Sequence, residues 1–93
     1  MSHSTFEAFE AGARDSGFDE AIVREWAPDT VLESHSHPFD AEAVVVAGEM
    51  WLGDAAGERH LQIGDTFALP AGSLHSERYG TAGATYWVAR RQR

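Results

Sequence analysis

The chain has 93 residues, enough for one domain with a single modest core and too few for two. Fifteen acidic residues stand against seven basic ones, a formal charge of −8, so the surface repels phosphate backbones and anionic lipid heads, and neither nucleic acid nor membrane is an expected partner. The lack of cysteine excludes disulfides, thiolate nucleophiles and cysteine zinc knuckles, leaving His, Asp or Glu to hold any metal.

The opening stretch MSHSTFEAFE carries acids and lacks the basic and apolar segments of a secretory leader, so the cytoplasm is the expected location. Ser4 followed by Glu7 fits a capping box, and Phe6, Phe9 and Ala13 recur at helical spacing, which predicts a short helix over 5–14 ended by Gly17. From Ala21 the pattern turns to strands: AIVREW, a Pro28-Asp29 turn, then the alternating TVLESHSH. EAVVVAG, EMWL, RHLQI, TFALP, LHSERY and TYWVAR follow, separated by the glycine turns GDAAG, IGD, AGS and GTAGA. The expected class is all-β, with residues 1–20 as helix and lead-in and residues 21–93 as one β-sandwich or β-barrel domain. Arg90, Arg91 and Arg93 read as a solvated charged tail.

On a strand, residues two apart share a face, so His35 and His37 point together while Ser34 and Ser36 turn away. Such a pair alone is weak evidence for a metal site, since most surface histidines are just exposed polar residues. A third histidine, His75, follows a strand, a proline and a glycine turn in GDTFALPAGSLH, residues 64–75.

Here a resemblance becomes specific. Gly64, Pro70, Gly72 and His75 match the second cupin motif, G-x5-P-x-G-x2-H, and His35, His37, Glu42 and Gly48 resemble the first. The chain is identified on these residues as a small single-domain cupin. The resemblance implies a jelly-roll β-barrel with a short N-terminal helix, in which His35, His37, Glu42 and His75 hold one divalent transition metal, Fe, Mn, Ni or Zn. It also implies a homodimer. Neutral imidazoles from neighbouring strands suit one side of an octahedral ion and leave positions open.

The first motif departs from the family pattern. The family's glutamate register falls on Ala41, and on a regular strand Glu42 faces away from His35 and His37. A bulge near residues 38–40 is required to bring Glu42 inside; otherwise it is a solvated strand acid and three histidines with water remain. Asp29 and Tyr79 also stand where the motifs more often carry glycine and asparagine.

Glu77 and Tyr79 follow His75 at period two, which makes them candidate catalytic residues, an acid or base and a hydrogen-bond donor. The competing reading pairs Glu77 with Arg78 and half-buries Tyr79. Met50, Leu52, Phe67, Leu69 and Trp87 read as core, and Trp26 with Trp51 as an outer aromatic pair suited to a subunit contact. His60 and His3 are left outside the site. Neither a nucleophile elbow, a phosphate loop nor a dinucleotide fingerprint occurs, which disfavours serine hydrolysis, nucleotide triphosphate use and NAD chemistry.

Three functions remain open at this point. One is a metal-dependent enzyme of the oxygenase or isomerase kind acting on a small molecule in the barrel. Another is a binding or regulatory module without chemistry, and the last a barrel whose histidines only bond each other. The fold does not choose among them.

Overall fold

The computed structural model describes residues 5–92. A helix, α1 (Phe6–Asp15), precedes six strands: β1 (Glu20–Trp26), β2 (Val31–His35), β3 (Phe39–Asp54), β4 (Gly57–Leu61), β5 (Thr66–Leu69) and β6 (His75–Gln92). The helix is capped by Thr5, whose hydroxyl accepts the Ala8 amide at 3.1 Å. The capping role expected of Ser4, like His3 and Arg93, lies outside the described residues.

β3 and β6 form the spine. They pair antiparallel along their whole length, and each carries neighbours on both halves. One half runs β1, β6, β3, β5; the other runs β2, β6, β3, β4. The halves fold over one core, where Val45, Phe67, Tyr86 and Val88 of the first meet Met50, Leu52, Leu61 and Tyr79 of the second.

The segments EAVVVAG and EMWL, expected as separate strands, are one strand, as are LHSERY and TYWVAR. GTAGA is a bend within a strand rather than a reversal. Register shifts between Val45 and Ala47 and between Gly48 and Met50 let the spine bend over. Gly48 and Gly83 make this possible: both have positive φ, 71° and 72°, and a Cβ at Gly48 would lie 2.1 Å from the Gly83 carbonyl oxygen.

Strand parity sorts the aromatics differently from the sequence expectation. Trp26 is not part of an outer pair: it packs against the barrel core and stacks on Tyr79 with centroids 5.2 Å apart. Trp87 faces outward instead, under the helix with Phe6 and Phe9. Trp51 is outward as expected, but it lies between the His60 ring, 4.5 Å away, and the Arg78 guanidinium, 4.1 Å away. Amphipathic α1 thus covers one outer sheet face, and the barrel interior is left for the strands.

Substitution of Gly83 or Gly48 by alanine forces a Cβ onto backbone atoms as well as into the left-handed region, and is expected to cost more than about 2 kcal/mol. Gly64, with φ 93° and open space around it, is expected to lose only about 1 kcal/mol on the same change. Urea denaturation of the three variants checks the order.

Candidate metal centre

Two connections close one end of the barrel, 36–38 between β2 and β3 and 70–74 between β5 and β6. The second is built by the motif residues: the Ser73 amide donates to the Pro70 carbonyl, 3.1 Å, with Gly72 at φ 81°, a turn that needs positive φ at its third position. The Gly72 amide donates to the His37 carbonyl at 2.8 Å, and the Ala71 amide to Asp40 Oδ1 at 2.8 Å. Asp40 also accepts from Arg91 at 3.1 Å. The loop that presents His37 and the loop that precedes His75 are therefore held to each other.

The three rings meet. Centroids of His35 and His75 are 4.4 Å apart, those of His35 and His37 4.9 Å, and those of His37 and His75 5.2 Å. One potential ligand atom from each lies within 4.8 Å of the others. Bonds of ~2.1 Å to a shared ion bring three nitrogens to about 3.0–3.6 Å from one another, so binding draws the rings closer together than that limit. His75 is almost fully buried, while His35 and His37 line the open side.

Backbone carbonyls orient two of the rings. His35 Nδ1 lies 2.7 Å from the Glu33 carbonyl oxygen, and His75 Nδ1 lies 3.1 Å from that of Ser73. A carbonyl only accepts, so each Nδ1 carries a proton, and in the neutral ring Nε2 then offers a lone pair. Both Nε2 atoms face the same oxygen, Glu77 Oε2, at 3.4 Å from His35 and 3.7 Å from His75. Acceptors directed at one another repel unless a cation lies among them, and this donor set fits a divalent ion.

Glu77 is the carboxylate of the cluster. It is 5% exposed, its Oε1 accepts the Tyr79 hydroxyl at 2.5 Å, and the Tyr86 hydroxyl lies at 3.4 Å. Its expected competing partner, Arg78, instead pairs with Glu58 on the outer face at 3.1 Å. Burial and the adjacent Glu77 charge raise the pKa of Tyr79 and Tyr86, so both stay protonated donors. The pKa of His37 is lowered, first by burial and then by the neighbouring His35 and His75 rings.

Glu42 does not join the cluster. It is exposed on the outer face between buried Ala41 and Ala43, and it rims a surface groove with Phe9, Val44 and Trp87. The register of β3 is regular from Phe39 to Val45, so the bulge needed to turn Glu42 inward is absent there. Asp40 and Arg90 are the residues that sequence reading missed. Asp40 had no motif signal; Arg90 shares the period-two face of Tyr86 and Val88, a signal masked by its position near the chain end.

No protein-family model matches the sequence, and no curated protein matches it. Solved structures do share its architecture. DMSP lyase DddQ from Ruegeria pomeroyi DSS-3 superposes with a TM-score of 0.71 and 25% identity, over 77% of this chain and 37% of the lyase. A sugar phosphate isomerase from a cupin superfamily, from Silicibacter pomeroyi DSS-3, gives a TM-score of 0.65 and 24% identity over 80% of this chain and 50% of its own. This chain has the cupin fold. A Rhizobium leguminosarum protein of unknown function matches the cupin barrel from end to end, covering 100% of this chain and 98% of its own, with a TM-score of 0.76 and 16% identity. The chain spans little more than a third of the lyase, and among its described residues no helix is long and apolar enough to cross a membrane.

The shift at His37 has a consequence for stability. Its folded pKa lies below the ordinary 6.5, so below that pH the unfolded chain binds the extra proton and the folded state resists it. This contribution is therefore absent above pH 6.5 and destabilising as the pH falls through the folded pKa. The urea midpoint of metal-free protein is expected to be lower at about pH 5.5 than at about pH 7.5, with a smaller difference in His37→Gln.

Proposed function

We propose that this cupin binds one divalent transition ion through His35, His37 and His75 and acts on a small organic molecule held beside it in the barrel mouth. The supporting observation is the convergence of the three rings, with Nε2 of His35 and His75 facing Glu77 and their Nδ1 protons donated to backbone carbonyls. A bound ion would supply Lewis acidity, polarising an oxygen of the substrate.

The chain's own groups supply proton transfer. Glu77 Oε2 faces the cluster and holds or accepts the proton, while Tyr79 donates to Oε1 and keeps the carboxylate oriented. Tyr79 is a donor and not a base, because burial and the Glu77 charge oppose loss of its proton. Phe39, Leu69 and Leu32 flank the core at this end and exclude water from part of the site. Proton abstraction next to a polarised oxygen is the reaction class this arrangement fits best. The names of two structural neighbours, a lyase and an isomerase, are compatible with it. Homodimerisation is proposed on the family resemblance alone.

Reloading metal-free protein with Fe, Mn, Ni or Zn and measuring bound metal tests the reading, with one ion per chain expected. Alanine at His35, His37 or His75 is expected to weaken metal binding by more than about 100-fold, since even outer partners of such ligands are worth 10- to 100-fold. Glu42→Gln should leave binding unchanged. Stoichiometric binding by none of the four metals overturns the proposal. Glu77→Gln is expected to abolish any turnover found while the protein stays folded.

A further inference from the structure

Arg90 lies on the inner face of β6, continuing the inward series of Tyr86 and Val88, across from Ala41 and Glu20. Its guanidinium carbon sits 4.8 Å from the centre of the Phe39 ring, and that ring stacks on His37 at 4.9 Å with planes 12° apart. Arg90 is also one of the charges that act on His37. The arginine expected to be part of a solvated tail therefore stands one ring away from His37, packed on Phe39.

Its donors are largely uncommitted. Nε is buried and has no hydrogen-bond partner among the described residues. The ion pair it makes is with Glu20, through Nη1 at 3.5 Å, well beyond the length of a good charge-assisted bond, and that carboxylate is 48% exposed. The backbone, by contrast, is clamped: the Asp19 amide donates to the Arg90 carbonyl at 2.8 Å and the Asp19 carboxylate accepts from the Gln92 amide at 2.8 Å. A buried donor left unfilled is costly, and a rigidly held guanidinium with free donors is suited to receive an anion.

We propose that Arg90 anchors the substrate of this site and that the substrate is a carboxylate. The inference rests on the metal-binding reading for what lies at the other end of the molecule, but the anion site itself stands on Arg90 alone. The planar fork matches a carboxylate in two parallel bonds. A phosphate dianion fits less well, because the chain has no lysine to share its charge and Glu20 already offsets part of the guanidinium.

The test is a titration of metal-free and cobalt-loaded protein with propionate, propionamide and methyl phosphate, followed by the NMR signal of the Arg90 Nε–H and by calorimetry. Propionate is expected to bind at least ten times more tightly than propionamide and to shift the Nε–H signal. Arg90→Met should remove that preference while leaving the cobalt spectrum and the thermal midpoint unchanged, and Arg90→Lys, which keeps the charge if the methionine variant fails to fold, should retain a weakened preference. Equal binding of propionate and propionamide in both forms overturns the proposal, as does an undiminished preference in Arg90→Met or tighter binding of methyl phosphate. If cobalt does not bind, the metal reading is judged by Fe, Mn, Ni and Zn as above, and the metal-free titration still decides for or against Arg90.

Discussion

Two hydrogen bonds from imidazole Nδ1 atoms to backbone carbonyls, at His35 and His75, set the chemistry of this barrel. They commit each ring to one tautomer and turn both Nε2 lone pairs toward a buried carboxylate oxygen. Positive charge at the centre, from protons or a metal ion, relieves the repulsion between them. The rest of the structure at this end of the barrel can be understood as holding that unfavourable geometry in place.

The holding is done from outside the rings. Gly72 and Ala71 donate to His37 and Asp40, so the two connections that close the barrel cannot drift apart independently. Glu77, which would be costly to bury alone, is satisfied on its other oxygen by Tyr79 and approached by Tyr86. Tyr79 is itself pinned by its stack on Trp26. The polar cluster thus stands on the packed core beneath it, and its positioning depends on the bends at Gly48 and Gly83 that allow one spine to serve both halves.

Local patterns revealed much of this, and non-local ones did not. The HxH pair, the Pro70 to Gly72 turn and the period-two placement of Glu77 after His75 are short-range features, and each is visible in the sequence. Glu42 misled because it came from the family motif and needed a bulge against strand parity, whereas β3 is regular from Phe39 to Val45 and parity holds. The long spine strands were hidden because a glycine with positive φ marks a bend within a strand as readily as a reversal between two. Arg90 was taken for tail because what buries it comes from the other end of the chain, where Asp19 and Glu20 clasp the last residues of β6.

That same strand explains how opposite charges come to share one mouth. Glu77 and Arg90 lie near the two ends of β6, on its inner face, and the bend between them folds the ends toward each other. His37 registers both, the carboxylate raising its pKa and the guanidinium lowering it. Between them lies a field with a fixed direction, which under the proposal above draws an anionic group to the arginine side. Net charge over the whole chain, strongly negative, says nothing of this. The direction of that field follows from where one bent strand places Glu77 and Arg90.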